Sequence, residues 1–191
     1  MKSLTCFNVF ALAVWAAPLC SILIPMETEA ATGGPDNYGY TFTDSDEPGG
    51  PRFQWIDITA SGSLVLGSGD DAASAPVELG FPVVLYGTIY TELVATSNGY
   101  LSTDLAEKGA DATPDCPLPA VPSEGGGTRI YALHDDLTLD ASSAGVYYQY
   151  FKTSPHPHSK MGVSVFTWDN LRFDGGSALP LNFQVLLFDD G

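Results

Sequence analysis

Short bursts of β-branched, aromatic and apolar residues recur along the chain, separated by glycine, proline and asparagine. Residues 81–102 show the pattern best, with Tyr86-Gly87 and Asn98-Gly99 as interruptions. Asn-Gly between two such bursts predicts a β-hairpin closed by a type I′ turn, in which both central residues need a positive φ. The run therefore predicts short antiparallel strands rather than helices.

The same pattern predicts strands on both sides of this run. Residues 53–59 are expected to begin the strands of the domain. Residues 145–152 and 161–168 are expected to pair as a hairpin, because the segment between them is polar and rich in proline. Residues 181–188 alternate most regularly between apolar and polar positions. An open edge on so apolar a strand invites aggregation, so we expect a further strand beyond residue 191.

Many short strands and no helical period predict an all-β fold, specifically an antiparallel β-sandwich with long loops. The longest loop is expected at residues 104–128, which are rich in proline, glycine and alanine and poor in aromatic residues. Loops of this length are often functional or mobile. Residues 31–52 are expected to form an extended lead-in, and residues 53–191 the sandwich, truncated at its C-terminal end.

The first thirty residues have the features of a secretory signal peptide. Lys2 supplies a positive charge, residues 9–24 are almost wholly apolar, and Thr28-Glu29-Ala30 offers small residues for cleavage after Ala30 or Ala31. The apolar stretch is shorter than the roughly 20 residues that a membrane span needs. We therefore expect a secreted or cell-surface protein, with no membrane contact beyond the signal peptide.

The cysteines indicate a fold that does not rely on disulfides. Cys6 and Cys20 lie in the leader, so the mature chain keeps only Cys116 and cannot form an internal disulfide. Cys116 lies in a proline-rich segment with no nearby base. A free or intermolecular thiol is therefore favoured over a catalytic nucleophile.

The charge balance excludes some partners and suggests one ligand. The chain has 23 acidic and 7 basic residues, a net charge of −16, which repels nucleic acids and anionic lipids. The unpaired carboxylates either solvate the surface or share bound calcium, which takes six to eight oxygen ligands. The candidate ligands are Asp44, Asp46 and Glu47; Asp70 and Asp71; and Asp135, Asp136 and Asp140. Asp135 and Asp136 are the first choice, because they directly follow a predicted strand.

No catalytic residue is predicted, and the protein is not expected to be an enzyme. The chain contains no Gly-x-Ser-x-Gly, His-Glu-x-x-His or Cys-x-x-Cys motif. His134 adjoins Asp135 and Asp136, but neighbouring strand residues point to opposite faces, so at most one could orient the imidazole. His156 and His158 lack a third metal ligand nearby. Aromatic residues crowd both faces of the hairpin at 145–168, and such crowding indicates that both faces are covered rather than open to a sugar.

Several segments, taken in order, resemble a module of secreted bacterial proteins, and the later part is similar to the NIDO domain of nidogen and some mucins. The clearest are the Gly-Phe strand that ends at Tyr86-Gly87, and Ser97-Asn98-Gly99-Tyr100-Leu101. The full set lies at residues 39–51, 79–90, 96–102, 130–137, 145–148, 165–170 and 182–187. One departure is His134, where the family pattern more often has an aromatic residue. The resemblance implies a secreted, non-catalytic β module with no active site to transfer.

The sequence thus favours a secreted interaction or structural module of a larger exported protein, with an extracellular protein or glycan as its partner. Two alternatives stay open. One is an N-terminal accessory domain of a secreted hydrolase. The other is a calcium-dependent carbohydrate-binding module, with calcium as the single cofactor to consider.

Overall fold

The computed structural model describes residues 31–114, 121–176 and 179–190. The predicted signal peptide, Cys116 and residue 191 lie outside these ranges, so the predictions about them stay predictions. Within the described ranges no helix is long and apolar enough to cross a membrane.

Eleven strands occur in the described part of the chain, and several are only two residues long. They are β1 (Thr32–Gly33), β2 (Phe42–Thr43), β3 (Ser63–Leu66), β4 (Val77–Leu85), β5 (Thr88–Ala95), β6 (Tyr100–Ser102), β7 (Arg129–Tyr131), β8 (Leu137–Thr138), β9 (Gly145–Phe151), β10 (Val163–Phe173) and β11 (Leu181–Phe188). The predicted all-β class is confirmed.

The strands form two facing antiparallel sheets. The main sheet has the order β11-β10-β9-β3, with β8 paired to the far end of β10, and the second sheet has the order β4-β5-β6-β7. The predicted hairpin is β9-β10, in register from Val163↔Phe151 to Asp169↔Gly145. Strands β1 and β2 pair with each other in the lead-in. This arrangement is the antiparallel β-sandwich that the sequence predicted.

The core lies between the two sheets and is centred on Trp168. Its indole ring is fully buried, stacks on Phe183 at 5.0 Å between ring centres, and donates its N–H to the Thr96 carbonyl oxygen at 2.7 Å. A buried N–H without an acceptor would lower the stability of the fold. Because the Thr96 carbonyl oxygen accepts this N–H, the indole is buried without an unsatisfied donor. The surrounding apolar residues come from both sheets: Val77, Leu79, Leu93, Ala95, Leu101, Val146 and Phe166.

The outer face of the main sheet is also covered, by residues 53–59. The prediction of a strand here is wrong, because this segment has no ladder partner. Ile56 and Ile58 nevertheless pack on Val163 and Val165 of β10. The segment therefore buries apolar side chains as a strand would, while its backbone finds a different partner, which is a side chain of β11.

The Asn98-Gly99 pair closes the β5-β6 hairpin as predicted, but the expected type I′ turn is wrong. Gly99 has a positive φ of 77°, whereas Asn98 is not among the residues with positive φ. The turn with positive φ at both central residues is Tyr86-Gly87, at 48° and 79°, between the paired Leu85 and Thr88.

The side chain of Asn98 explains this difference. Its amide group donates to Asp71 Oδ1 and to the Gly109 carbonyl oxygen, and its Oδ1 accepts the Leu137 N–H, all at 2.9 Å. Asn98 therefore joins the loops at Asp71 and Gly109 to the start of β8 at one end of the sandwich, and these bonds fix its backbone.

The long loop after β6 covers the outer face of the second sheet. The Arg129 side chain forms ion pairs with Glu107, at 3.0 Å, and with Asp111, and all three side chains are buried. The guanidinium also lies 4.3 Å from the centre of the Tyr100 ring. In its described part, this loop is therefore fixed to the sheet by buried charges.

Candidate functional site

A groove of about 830 Å³ lies on the outer face of the main sheet, alongside β11; we call it the β11 groove. Its floor is formed by alternate residues of that strand, which face the same side. Its wall is formed by residues 51–59, and its lining continues to His156, His158 and Asp169. The floor residues are Asn182, Gln184, Leu186 and Phe188.

A single side chain holds the wall of this groove in place. The Ile56 N–H donates to Gln184 Oε1 at 3.2 Å, and Gln184 Nε2 donates to the Ile56 carbonyl oxygen at 2.6 Å. Nε2 also donates to Thr167 Oγ1 at 2.6 Å. The carboxamide of Gln184 thus replaces the peptide group of a neighbouring strand, and the buried backbone groups of Ile56 are satisfied.

Aromatic side chains with free surface line the groove. Phe53 is 84% exposed and Trp55 is half-buried. Phe188 is half-buried and packs against two imidazoles, 5.6 Å from the ring centre of His156 and 4.9 Å from that of His158. Clustered apolar surface that stays in contact with water is a mark of a binding site rather than of a stable monomer surface.

The charged side chains of the groove lining are two carboxylates, Asp57 and Asp169, and one guanidinium, Arg52. Asp57 accepts the Thr59 N–H at 3.0 Å and the Thr59 hydroxyl at 2.8 Å, and these bonds lower the pKa of Asp57. Partial burial raises the pKa of Asp169, and the charge of Asp57 raises it further. A ligand that places a cation or hydroxyl donors beside Asp57 and Asp169 would relieve the repulsion between these two carboxylates.

The groove has the side chains of a binding site. None of its described lining residues is a serine or a cysteine, and the Thr59 hydroxyl is engaged with Asp57. Aromatic rings, amides and carboxylates bind ligands by stacking and hydrogen bonding.

Three of the predicted calcium ligands come together at one end of the sandwich. Asp70, Asp71 and Asp136 each place a carboxylate oxygen within 4.8 Å of the others, with their side chains exposed. Burial raises the pKa of Asp70 and of Asp136, and neighbouring acidic groups raise both further. These residues could hold a cation, but exposed carboxylates also cluster without one, so calcium binding stays a prediction.

The other predicted ligands do not belong to this group of three carboxylates. Asp44 accepts the backbone N–H groups of Ala31, Asp46 and Glu47, and so stabilises a turn in the lead-in. Asp135 Oδ1 accepts the Asp136 N–H at 2.8 Å. The remaining candidate, Asp140, contributes to the raised pKa of Asp70 through its charge alone.

His134 packs against two tyrosines. Its ring stacks on Tyr131 at 4.7 Å between centres and lies edge-on to Tyr100 at 5.2 Å. Its Nε2 lies 3.0 Å from the Asp111 carbonyl oxygen. The imidazole thus takes the place of the aromatic residue that the family pattern leads one to expect.

Sequence reasoning missed the β11 groove because its residues come from four separate parts of the chain: residues 51–59, the two histidines at 156 and 158, Asp169, and β11. The sequence does contain a weak signal. Phe53 and Trp55 stand at odd positions and Ile56 and Ile58 at even positions, so residues 53–59 do not present a single apolar face. The aromatic residues considered for sugar binding lie on β9 and β10, and two of them, Phe166 and Trp168, are fully buried.

Comparison with known proteins identifies the fold family. The family model described as NIDO related matches residues 39–191, which is most of the chain. Neither a curated protein nor a solved structure matches significantly. The match runs from the lead-in through β11 and supports an extracellular module. The chain therefore belongs to the NIDO-related family.

Proposed function

We propose that this domain is a non-catalytic extracellular interaction module and that its ligand binds in the β11 groove. The observation that carries the proposal is the exposed Phe53, which lines the groove together with Trp55 and Phe188. Nothing in the packing of the domain requires a large apolar side chain at this position. A ligand that covers Phe53 would bury apolar surface at little cost in conformational entropy, since the groove is already formed.

The proposal is tested with arrays of glycans and of extended synthetic peptides, probed with the protein and with the variant Phe53→Ser. We expect at least one class of probe to bind, and the variant to weaken that binding about tenfold or more, as aromatic anchors do. Because Phe53 is 84% exposed, the thermal unfolding midpoint should not change.

The matched control is Ile89→Ser on β5, which also removes a large exposed apolar side chain, 67% exposed, but away from the groove. It should leave array binding unchanged. The proposal is wrong if no probe depends on Phe53, or if the bound glycan or peptide is recovered cleaved.

A further inference from the structure

We propose that the β11 groove binds a neutral oligosaccharide, with one sugar ring against Trp55 and its hydroxyls on Asp57 and Asp169. This inference rests on the proposed interaction function and adds the chemical class of the ligand. It follows from the hydrogen-bonding atoms that the groove lining leaves unused, and it does not require calcium.

The wall of the groove presents aromatic and polar side chains in one row. The odd-numbered residues from Phe53 to Thr59 line the groove, whereas the two isoleucines between them are buried against β10. Ile56 offers its N–H and its carbonyl oxygen to the same carboxamide, as residues of an extended chain do. Alternate side chains of such a chain are roughly 7 Å apart. Trp55 and Asp57 therefore place an aromatic ring and a carboxylate within reach of a single sugar ring and its hydroxyls.

The carboxylates of the groove have unused hydrogen-bond acceptors. Asp57 uses only Oδ1, which accepts both the N–H and the hydroxyl of Thr59. The side chain of Asp169 is half-buried and accepts no hydrogen bond from the described residues. A carboxylate that loses water without gaining a donor is unfavourable, and burial accordingly raises the pKa of Asp169. Ligand hydroxyls would supply the missing donors.

The lining also has unused donors. In the described part of the chain, no acceptor is present for the indole N–H of Trp55 or for the Nδ2 group of Asn182, although Asn182 Oδ1 accepts the Asn170 N–H at 2.7 Å. A ligand must therefore both donate and accept hydrogen bonds. A hydroxyl group does both, whereas an ammonium or guanidinium group only donates and a carboxylate only accepts. A sugar carries several hydroxyls around a ring whose C–H face packs on an aromatic side chain.

A peptide satisfies this set of groups less well. Each peptide unit has a single N–H donor. The two carboxylates lie close enough for the charge of Asp57 to raise the pKa of Asp169, so several donors are needed within a short distance. Adjacent hydroxyls of one sugar supply them. The observations therefore favour a glycan over an extended peptide.

Charge selects a neutral sugar over an acidic one. The groove lining has two carboxylates and one guanidinium, and the whole chain carries a net charge of −16. Arg52 also lines a second cavity together with both histidines of the groove, and neither carboxylate lines that cavity. The positive charge thus lies on the side of the histidines. An acidic sugar against Trp55 would be repelled by Asp57 and Asp169.

The probes are cellohexaose, mannohexaose, galactohexaose and chitohexaose, and the readout is NMR of the nitrogen-labelled protein in the presence of a chelator. We expect at least one of these neutral chains to shift the indole N–H signal of Trp55 until it saturates. The indole signal of Trp168 should not move, because that N–H is buried and bonded to Thr96. Hexagalacturonate is the matched acidic probe and should bind at least about tenfold more weakly.

Two variants remove hydrogen-bonding groups and keep the shape of the side chain. Trp55→Phe keeps an aromatic ring but loses the indole N–H, and Asp169→Asn loses the charge and one acceptor. Each should weaken binding of the neutral sugar about five- to tenfold, measured by calorimetry. Asp46→Asn, at an exposed aspartate in the lead-in, is the matched control and should leave the affinity unchanged. If Asp169→Asn does not fold, Trp55→Phe gives the same test.

The inference is overturned if no neutral hexasaccharide shifts the Trp55 signal, if hexagalacturonate binds as tightly, or if the folded variants bind the sugar as well as the wild type does. If no sugar binds while Phe53→Ser still abolishes binding to a peptide on the array, the proposed function stands and this inference falls. If a sugar binds but neither Phe53→Ser nor these variants weaken it, both are wrong.

Discussion

The Arg129 guanidinium is the residue-scale feature that ties the long loop to the second sheet. Burial alone would lower the pKa of Arg129, but its hydrogen bond to Asp111 and the nearby negative charge of Glu107 raise that pKa above the ordinary value. Arg129 is therefore charged at any pH at which the protein is folded. Removing it would leave two buried carboxylates without a counter-charge.

We predict that Arg129→Met lowers the free energy of unfolding by about 3–5 kcal/mol, the usual cost of breaking a buried ion pair from one side. Urea unfolding followed by tryptophan fluorescence measures the change. Arg52→Met is the matched control, because Arg52 is exposed and makes no ion pair with the described residues. A loss no larger than the control's would show that the loop is held by other contacts.

The cluster of Asp70, Asp71 and Asp136 leads to a prediction about pH. A carboxyl whose pKa is raised by folding binds its proton more tightly in the folded state, so its ionisation costs stability, and the cost disappears below the ordinary pKa of 3.8. Asp70→Asn should therefore raise the thermal midpoint at pH 7 in the presence of a chelator, and the gain should vanish near pH 3. Asp46→Asn, at another exposed aspartate, should change little at either pH. A midpoint that Asp70→Asn lowers at pH 7 would contradict this account.

If the cluster of Asp70, Asp71 and Asp136 binds calcium, the wild type should have a higher thermal midpoint than Asp70→Asn in saturating calcium, the reverse of the order in chelator. A bound divalent cation stabilises the folded state of the wild type, whereas Asp70→Asn removes one ligand. Calorimetric melting in saturating calcium and then in chelator makes the comparison. An unchanged wild-type transition would remove calcium from the account of this protein.

At the scale of the element, the two hairpin turns of the second sheet place different demands on glycine. A Cβ at Gly87 meets nothing within 4 Å, so its positive φ is the single constraint. A Cβ at Gly99 would also lie 1.9 Å from the Leu133 carbonyl oxygen. A substitution at Gly87 therefore strains the backbone conformation alone, whereas a substitution at Gly99 strains the conformation and also creates a close contact.

We predict that Gly87→Ala costs about 1 kcal/mol of unfolding free energy, the usual penalty for a non-glycine residue at positive φ. Gly99→Ala should cost clearly more, because the Leu133 backbone must move as well. Gly126→Ala, where φ is not positive and the nearest atom is a side-chain oxygen at 3.4 Å, should be close to neutral. Chemical denaturation measures all three, and equal costs at Gly87 and Gly99 would refute the role of the close contact.

Elements whose partners lie nearby in sequence are the ones that could be predicted. The β9-β10 hairpin is such a case, since both strands and their connector fall within residues 145–173. Residues 53–59 were wrongly assigned to a strand, because the backbone of Ile56 pairs with the side chain of Gln184, 128 residues further on. The turn at Asn98 was assigned the wrong type because its amide serves Asp71 and Gly109, and no local pattern shows that. The β11 groove depends on similarly distant contacts.

At the scale of the whole molecule, the charge of the chain is far from balanced. The net charge of −16 leaves most carboxylates without a basic partner, and several lie close together at the end of the sandwich that carries Asp70 and Asp136. Mutual repulsion acts against the compact state and is weakened by salt, which shortens its range. Salt therefore stabilises the whole domain by screening repulsion between many carboxylates, rather than by changing a single ion pair.

We predict that the thermal midpoint at pH 7 rises as sodium chloride is increased from low to physiological ionic strength. At pH 3 the effect should be much smaller, because most carboxylates are then protonated. Differential scanning calorimetry in the presence of a chelator measures this without interference from divalent ions. A midpoint that falls with salt would mean that attractive pairs outweigh the repulsion.

The hydrogen bonds between Gln184 and Ile56 also determine when residues 53–59 can pack during synthesis, because the chain is made from its N-terminus. The hydrophobic side chains at 56 and 58 emerge early, yet the carboxamide that anchors Ile56 emerges 128 residues later. Until then they have no docking surface of their own, because β10 is also made late. A nascent or shortened chain that lacks β11 would display these isoleucines to its surroundings, so β11 decides when residues 53–59 cease to be a target for chaperones and proteases.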